Sequence, residues 1–464
     1  MPTDSVRALA PEVPVSSPHD RREIKALKVA VVGGGVIGLC SALDLARHGA
    51  EVLLLERGDC GSGASSGNCG WVTPALSGPL AEPGAVGHAL VGMTRPGSPF
   101  ALHPRPDLAF LHWCWRFWRS SSEARWRRGV AQLLALNART FQLFDELRDQ
   151  GAEFEMHPSG LVFAANTQRG LTVFRTLFQA VAELGYPGTI VEWDRAEALE
   201  NERALSDTVV GAFFAPEERH VRPESLVHGL LTAVRAAGVE LVEQVEVQRI
   251  VRTRGAWSLQ TRGSTHASDA VVVAAGIWSR DLLRPLGIRL PLEAAKGYSV
   301  TASGEGTAPR RALYFGEVKV GCSPFAGTVR LAGTLELGAH DLSLGRRRLS
   351  AIVASAALYL RDWRPGSSAV EWAGLRPLSP DGLPLIGSLP GHENLFVATG
   401  HGMLGVTLAP ATAALLTPLV LTGRRSPESE PFRPDRFRRV VRIDNRARLT
   451  ASRFREGVPS AHRD

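Results

Sequence analysis

The feature that most constrains this 464-residue chain is a glycine-rich turn near its start, between an apolar run and a helical pattern. In KVAVVGGGVIGLCSALDLARHG, residues Gly33, Gly35 and Gly38 have the spacing G-x-G-x-x-G, and a second apolar run, EVLLLER, follows. This order predicts a βαβ unit, in which the first glycine permits the turn, the second admits a pyrophosphate and the third lets helix and strand pack. Glu56 ends the second run, where a carboxylate accepts hydrogen bonds from ribose hydroxyls. The segment therefore predicts a dinucleotide-binding Rossmann-like fold.

A second turn of this layout lies far downstream, in ATGHGMLGV at residues 398–406. It follows the apolar run NLFVA and precedes a helical stretch, so it offers another helix N-terminus. A fingerprint alone does not distinguish NAD from FAD, but reduced flavin carries negative charge that a second helix N-terminus stabilises. The small-residue loop at 60–70 supplies hydroxyls and backbone amides, and VVVAAGIWS at 271–279 resembles a flavoprotein strand that ends against its cofactor. Together these segments favour FAD.

Seven motifs in this order resemble the FAD-dependent amino-acid oxidoreductases of the D-amino-acid oxidase superfamily. Within it, the chain is most similar to bacterial D-amino-acid dehydrogenases of the small-subunit type. The resemblance extends from about Val29 to about Phe437. The motifs are GGGVIG, GNCGWVTP, RPESLVHGLL, VVVAAGIWS, KGYSVT, GLRPLSPDGLPLIG and TGHGMLGVTLAP.

The resemblance implies an α/β fold with two interleaved domains. One is a Rossmann-like FAD-binding domain of the glutathione-reductase type, for which we expect residues 28–112, 219–290 and 366–437. The other is an α+β substrate domain with a mixed sheet, for which we expect residues 113–218 and 291–365. Residues 1–27 are expected to form a disordered extension, and residues 438–464 a basic tail.

The matching motifs also predict the residues around the cofactor. We expect FAD to be bound noncovalently, because the loop at Cys69 has no histidine and the SPDG turn has no cysteine. Met403 stands where some relatives have another arginine, which implies a single carboxylate clamp. The residues expected to bind FAD are Gly33, Gly35, Val36, Ile37, Gly38, Glu56, Arg57, Ser65, Ser66, Asn68, Gly70, Val247, Ala275, Gly276, Trp278, Gly400, Gly402, Met403 and Gly405.

The same resemblance implies roles for three catalytic-site residues. Arg376 in GLRP matches an arginine that binds the substrate carboxylate, and a guanidinium suits this task because it donates paired, charge-assisted hydrogen bonds. Tyr298 in KGYS is expected in the substrate pocket and His401 beside the flavin. The alternatives are a structural arginine, a packed strand tyrosine and a histidine that caps the turn. Lys296 is a further candidate near the flavin.

The resemblance implies oxidative deamination of a D-amino acid, with hydride transfer from Cα to flavin N5 and hydrolysis of the imino acid to a 2-oxo acid and ammonia. Substrate positioning and electrostatics can account for the rate of this hydride transfer without a strong acid or base. This agrees with a sequence in which we find no catalytic His/Asp or Cys/His arrangement. Oxidation of D-proline or hydroxy-D-proline, or of glycine or sarcosine, is the alternative by the same chemistry. The electron acceptor is expected to be a quinone or another carrier, with oxygen as the alternative.

Charge and composition limit the other function classes. The formal net charge is +7, and residues 424–464 hold 12 arginines against 6 acidic residues, so the basic character belongs mainly to the tail. We expect a solvated tail and no nucleic-acid partner, with a flavin-fold RNA-modifying protein as a remote alternative.

Five cysteines without a C-x-x-C pair exclude a zinc site or a disulfide framework. The absence of a signal-peptide pattern and of an unbroken membrane-spanning stretch predicts a cytoplasmic protein, at most peripheral to the inner face of a membrane.

A helical stretch rich in tryptophan and arginine follows the first Rossmann segment, in DLAFLHWCWRFWRSSSEARWRRG. Leu111, Trp115 and Trp118 share one face of such a helix. We expect this stripe to face the core, with the arginines toward water. The alternative is an interfacial anchor for a membrane or a partner.

Overall fold

The computed structural model describes residues 26–85, 87 and 98–437. Its first layer is a six-stranded sheet with the dinucleotide-binding topology. Five neighbouring strands are parallel, and the sixth, Leu385–Ser388, is antiparallel to its neighbour. In order across this central sheet, the strands are Glu240–Val242, Glu51–Leu55, Lys28–Val32, Ala270–Val273, Leu395–Thr399 and Leu385–Ser388.

Helices cover one face of the central sheet. Val36–Arg47 follows the first strand, and its apolar side packs with Pro223–Ala236 and Gly405–Thr422 in one buried cluster. An antiparallel meander covers the opposite face, which its buried Ile250 and Trp257 contact. The meander strands are Arg249–Thr253, Ala256–Gln260 and Thr265–Ser268.

The second layer is a nine-stranded mixed sheet. Most of its strand pairs are antiparallel, but Ala312–Phe315 and Phe100–Leu102 each have a parallel neighbour. In order, the strands of this large sheet are Val370–Leu378, Glu293–Ala302, Thr328–Leu337, Val320–Phe325, Ala312–Phe315, Leu161–Ala165, Gly211–Ala215 and Val191–Trp193, with Phe100–Leu102 beside Thr328–Leu337. The predicted α/β fold with a second, mixed sheet is confirmed.

Smaller elements complete the described chain. One three-stranded sheet joins the layers through Trp71–Val72, Arg219–Val221 and Met156–His157, and a two-stranded ribbon pairs Gly304–Glu305 with Arg364–Pro365. The remaining α-helices are Leu108–Ser120, Glu123–Asn137, Thr140–Asp149, Gln168–Glu183, Arg195–Asn201, Ser279–Leu283 and Arg346–Ala356.

Three segments pack outside the domain to which the sequence assigns them. Phe100–Leu102 and Val370–Leu378 are strands of the large sheet, although both fall within segments expected in the FAD-binding domain. Residues 123–149, expected in the substrate domain, pack their Leu133 and Phe144 into the cluster beside the central sheet. The reason is that strand pairing and helix packing are long-range contacts, which the order of local patterns does not reveal. The predicted extension and tail lie outside the described residues, apart from residues 26 and 27.

The tryptophan-rich stretch differs from its prediction in two respects. It forms two helices, because Leu108–Ser120 ends at Ser121 and Glu123–Asn137 begins two residues later. The core-facing orientation expected for Leu111, Trp115 and Trp118 is wrong, since all three are exposed. Phe110 and Trp113, on the other side of the first helix, are the buried pair.

Helix Gly405–Thr422 has the length and composition of a membrane span, with 18 residues and a mean hydropathy of 1.6. In this structure it packs against Val36–Arg47 and against the helices of residues 123–149, and most of its side chains are buried. Its all-round apolar character is that of a core helix enclosed by neighbours.

Candidate active site

The first glycine-rich turn brings the central sheet and the first helix together. Gly33 has φ +110°, and a Cβ there would lie 2.6 Å from the carbonyl oxygen of Ala274. A Cβ on Gly38 would lie 1.8 Å from the oxygen of Gly33, so only glycine permits this approach. Gly35 precedes the first residue of the helix, Val36. This is a cradle of backbone amides at a helix N-terminus, as a pyrophosphate requires.

The acidic end of the second strand closes one side of the cradle. Glu56 accepts hydrogen bonds from the backbone N–H of Gly34 at 2.7 Å and of Gly58 at 3.0 Å. Arg57 places its guanidinium carbon 3.7 Å from the ring centroid of Trp278, a cation–π contact that joins this strand end to the turn after Ala270–Val273. The backbone N–H of Val245 donates to the carbonyl of Glu56, so the chain that carries Val247 runs alongside.

The loop at 60–70 is tied both to the helix and to itself. Ser65 Oγ accepts a hydrogen bond from the N–H of Val36 at 3.0 Å, which places this hydroxyl at the helix N-terminus. Ser66 Oγ donates to Gly63 at 3.4 Å. Asn68 donates to the carbonyl of Ala64 and accepts from the N–H of Gly70, so its side chain holds the loop in shape. Of these side chains, that of Ser65 is therefore the one that the structure places at the anion cradle.

The second glycine-rich turn lies beside the strand that carries the GLRP motif. The N–H of Gly402 donates to the carbonyl of Pro377 at 3.0 Å, and His401 forms a β-bridge with Leu378. Helix Gly405–Thr422 begins directly after this turn. The turn before this helix is therefore joined to the strand residues that follow Arg376, and the sequence prediction that motifs far apart in the chain converge is consistent with this arrangement.

The first turn of the same helix is also fixed to the segment that follows the loop at 60–70. Thr407 Oγ1 donates to the carbonyl of Trp71 at 2.9 Å and accepts from the N–H of Thr73 at 3.2 Å. On the other side, Thr399 Oγ1 donates to the carbonyl of Gly276 at 2.7 Å, beside Ala275. These bonds join the first turn of helix Gly405–Thr422 to the segment after the loop at 60–70, and strand Leu395–Thr399 to the turn after Ala270–Val273.

Arg376 has an environment that suits an anionic ligand. Its Nη1 donates to the carbonyl of Thr334 at 3.1 Å, and none of the ion pairs found among the described residues includes it. Burial lowers the pKa of the guanidinium, with an opposing effect from Cys69. Thr334 has φ +66°, which is strained for a β-branched residue and aims its carbonyl at Arg376. A guanidinium so placed gains from a carboxylate partner.

Tyr298 lies on the opposite face of the large sheet from Arg376. The register pairs Ala295 with Arg376 and Gly297 with Gly374, so the side chain of Tyr298 points the other way. Its hydroxyl donates to Glu336 Oε2 at 3.0 Å, and its ring is buried in the cluster under helix Arg346–Ala356. The expected pocket position of Tyr298 is therefore not supported, because neighbouring residues of a strand face opposite sides.

Lys296 has partners that account for it, whereas His401 is bonded through one ring nitrogen. Lys296 Nζ is 2.8 Å from Asp341 Oδ1 and 3.2 Å from Ser343 Oγ, and this salt bridge shares the face of Tyr298. His401 Nε2 lies 3.0 Å from the hydroxyl of Thr412, in the helix after its own turn. Burial lowers the pKa of His401 to about 3, so the ring is neutral near pH 7. The bond to Thr412 ties His401 to the helix after its turn, whereas Nδ1 is buried without a partner among the described residues, so its place beside the flavin stays a prediction.

Two tryptophans that the sequence analysis missed flank Arg376 and the loop. Trp372 lies two residues from Gly374 on the Arg376 face, and a Cβ on Gly374 would come 2.1 Å from its indole. A Cβ on Gly67 would come equally close, so the indole lies between strand and loop. Trp71 Nε1 donates to Ser323 Oγ at 2.8 Å. Four glycines could have indicated these positions, because each leaves room for a large side chain of a neighbouring segment. They are Gly67, Gly297, Gly321 and Gly374.

Comparison with known proteins gives concordant matches. Residues 28–419 match the protein family described as FAD dependent oxidoreductase (DAO). A D-amino acid dehydrogenase from Phenylobacterium zucineum (strain HLK1) is 31% identical over 409 residues, covering 86% of this chain and 95% of that protein.

Solved structures give the same fold at lower sequence identity. Glycine oxidase from Geobacillus kaustophilus superposes with a TM-score of 0.71 at 24% identity, covering 89% of this chain and 99% of that chain. L-proline dehydrogenase from P. horikoshii has a TM-score of 0.66 at 18% identity, covering 89% and 98%.

Proposed function

The chain belongs to the family of FAD-dependent oxidoreductases, and from this premise we propose that it is a D-amino-acid dehydrogenase. The observation that carries the proposal is Arg376, a half-buried guanidinium whose side chain bonds only a backbone carbonyl among the described residues. The 31% identity to a D-amino acid dehydrogenase over most of both chains supports the substrate class.

Arg376 is proposed to bind the substrate carboxylate. Its fork of N–H donors matches the two oxygens of a carboxylate, and the low polarity around it strengthens each bond. The other nearby arginine, Arg330, is already neutralised, because Nη2 lies 2.9 Å from Glu224 Oε1 and Nη1 donates to the carbonyl of Asn68. A ligand with one carboxylate and no other charge next to it therefore suits this face.

The residues of the cradle are proposed to hold FAD without a covalent bond. The helix N-terminus at Gly35, Val36 and Ile37 and the hydroxyl of Ser65 suit the pyrophosphate, and Glu56 suits the ribose. The turn with Gly400, Gly402 and Gly405 suits the isoalloxazine end, because it lies beside Arg376.

Bound FAD supplies the hydride acceptor of the reaction. The chain orients the substrate, because a carboxylate fixed on Arg376 restricts where Cα and the amine can lie. The amine reacts in its neutral form, and loss of hydride from Cα and of the amine proton leaves an imino acid. Water converts that product to a 2-oxo acid and ammonia. No side chain is required as a strong acid or base, which agrees with the neutral, hydrogen-bonded state of His401.

The two electrons are proposed to leave through a quinone or another carrier rather than through oxygen. No contact in the described residues favours D-proline, hydroxy-D-proline, glycine or sarcosine over a D-amino acid, so these compounds belong in the test panel.

The test is anaerobic bleaching of the flavin absorbance by single compounds. A D-amino acid should bleach it and the L-enantiomer should not, and readmitted air should restore the colour slowly whereas a quinone analogue restores it fast. Bleaching only by glycine, sarcosine or D-proline would contradict the proposed substrate class. Rapid recovery in air would contradict the proposed acceptor.

A matched pair of variants tests the role of Arg376. Arg376→Ala should lower kcat/KM on the order of 100-fold to 1,000-fold, because two charge-assisted hydrogen bonds are lost. Arg364→Ala is the control, since Arg364 also donates to a backbone carbonyl, that of Trp363, but lies in the two-stranded ribbon. Equal activity of the two variants would mean that Arg376 does not bind the substrate.

A further inference from the structure

Helix Leu108–Ser120 has an apolar face turned toward solvent. Leu108 is 85% exposed, Leu111 56%, Trp115 47% and Trp118 61%. Their spacing of three, four and three residues places the four side chains in one row along the helix. The opposite side is anchored, because Phe110 and Trp113 are buried against the large sheet. A helix fixed in this way presents the row as a rigid surface.

Positive charge borders the C-terminal end of this row. The guanidinium of Arg119 lies 5.0 Å from the ring centroid of Trp115. Arg125, at the start of the next helix, donates to the carbonyl of Arg119 at 2.9 Å, and Arg128 is exposed one turn further on. None of these three arginines is in an ion pair with another residue that the structure describes.

Two acidic side chains lie in the same stretch. Asp107 is occupied as the N-cap, since it accepts a hydrogen bond from the N–H of Phe110 at 2.7 Å, and it also lies 3.3 Å from Arg105. Glu123 is exposed beside the three arginines. The end of the row that holds both exposed tryptophans is therefore net positive.

We propose that this face, formed by Leu108, Leu111, Trp115 and Trp118 and bordered by Arg119, Arg125 and Arg128, docks on an anionic phospholipid bilayer. Tryptophan is favoured at the boundary between headgroups and acyl chains, because its ring is apolar and its N–H is polar. Leucine side chains enter the boundary further, and arginines at the border bind lipid phosphates. The helix then lies in the plane of the interface.

The charge pattern argues against a second copy of this chain as the occupant. In a two-fold contact the same patch meets itself. If the two helices are parallel, the arginines on one copy approach those of the other, and like charges at an interface are unfavourable. If they are antiparallel, the arginines meet the leucine end of the row, where the carboxylate of Asp107 already bonds the N–H of Phe110 and lies 3.3 Å from Arg105. An anionic bilayer satisfies the apolar row and the arginines together.

Vesicle flotation of the full-length, FAD-loaded protein tests the proposal. Binding is expected with vesicles of phosphatidylcholine and phosphatidylglycerol at 7:3, to be weaker with phosphatidylcholine alone, and to decrease as salt rises. Trp115→Ser with Trp118→Ser should reduce the partition coefficient about tenfold or more. The control removes two exposed apolar side chains elsewhere, Val173→Ser with Leu358→Ser, and should leave binding unchanged.

A second set of variants separates charge from apolar contact. Replacement of Arg119, Arg125 and Arg128 by Gln should remove the preference for anionic vesicles, whereas Arg346→Gln with Arg347→Gln should not. Dye-linked oxidation of the substrate should be unchanged in all these variants. Absence of flotation, or equal loss in the control variants, would overturn the proposal.

Tryptophan fluorescence distinguishes a bilayer from a protein cover. The emission of Trp115 and Trp118 is the part that a Trp115→Phe, Trp118→Phe variant lacks. Without vesicles, iodide should quench this emission. With vesicles that contain brominated lipid, the lipid should quench it. If iodide does not reach these tryptophans in the free protein, another part of the chain or another copy covers the face, and the proposal is wrong. If sedimentation shows a dimer, and the double substitution Leu108→Ser with Leu111→Ser dissociates it, a second copy of the chain covers the face.

Discussion

Arg376 lies across Gly297 on the neighbouring strand, and a Cβ at position 297 would come 2.1 Å from Nη1 and 2.4 Å from Cζ. Since the contact is with the movable end of a side chain, Gly297→Ala should displace the guanidinium and leave the strands paired. We expect kcat/KM for the amino acid to fall about tenfold to 100-fold, mainly through KM, with a small change in Tm.

Gly263→Ala provides the control for this substitution, because a Cβ there would meet nothing within 4 Å and the backbone is not in the left-handed region. Steady-state kinetics and thermal unfolding of both variants make the comparison. A large loss of Tm in Gly297→Ala without a change in KM would show that position 297 serves packing alone.

Trp372 is expected to limit the size of the substrate side chain. Its indole lies over Gly374, on the strand face that also carries Arg376. Trp372→Ala should raise kcat/KM for D-phenylalanine relative to D-alanine by about tenfold or more, because space opens next to the carboxylate site. The measurement is the ratio of kcat/KM for D-phenylalanine to kcat/KM for D-alanine. Differences in FAD content between preparations cancel in this ratio.

Trp118→Ala is the matched control for that change, since it removes the same side chain from the surface of helix Leu108–Ser120. It should leave the ratio of the two constants unchanged. An unchanged ratio in Trp372→Ala would place the substrate side chain elsewhere in the site.

Local motifs of the cofactor cradle could be predicted because their requirements are local. Gly33 and Gly38 are needed for a positive φ and for a close backbone approach, and both needs are visible in the spacing of three glycines. Glu56 is recognisable because it ends the strand that follows. The converging motifs at Arg376 and Gly402 were placed by the resemblance, since no local pattern indicates that two distant turns meet.

The structure departs from expectation where the outcome depends on a partner element. Tyr298 was expected in the pocket, but a shift of one residue along a strand reverses the face, and the face is set by pairing with Val370–Leu378. For Trp115 and Trp118, helical spacing predicts a shared apolar side but not the surface that it meets. The position of Trp372 could not be predicted either, because its place over Gly374 depends on strand register and its place over Gly67 depends on a loop from the other layer.

FAD should leave the protein when the chain is denatured. Desolvation raises the pKa of Cys69 to about 11, so its thiol stays protonated and is a poor nucleophile toward a flavin. After acid or detergent denaturation, the yellow colour is expected in the filtrate of an ultrafiltration membrane. The Cys69→Ser variant should contain as much flavin as the wild type, whereas flavin retained by the wild-type chain and released by Cys69→Ser would prove a covalent bond.

Glu218 is expected to make the protein less stable as the pH rises through neutrality. The side chain is fully buried, and its Oε1 accepts hydrogen bonds from the hydroxyl of Tyr186 at 2.6 Å and from the N–H of Ala75 at 3.2 Å. Oε2 has no partner among the residues that the structure describes. Burial raises its pKa from 4.5 to about 7. The folded protein therefore keeps a proton that the unfolded chain releases between these values, so the contribution to stability is complete below pH 4.5 and is lost as the pH rises through 7.

Glu218→Gln removes this titration, because an amide resembles the protonated carboxyl group. The free energy of unfolding of the variant, relative to the wild type, should increase between pH 5 and pH 8 by on the order of 2–3 kcal/mol. Chemical denaturation at a series of pH values measures it, with Glu200→Gln, an exposed glutamate in helix Arg195–Asn201, as the control. A difference that stays constant with pH would mean that Glu218 is already ionised in the folded protein, in which case Oε2 must have a donor that stabilises its charge.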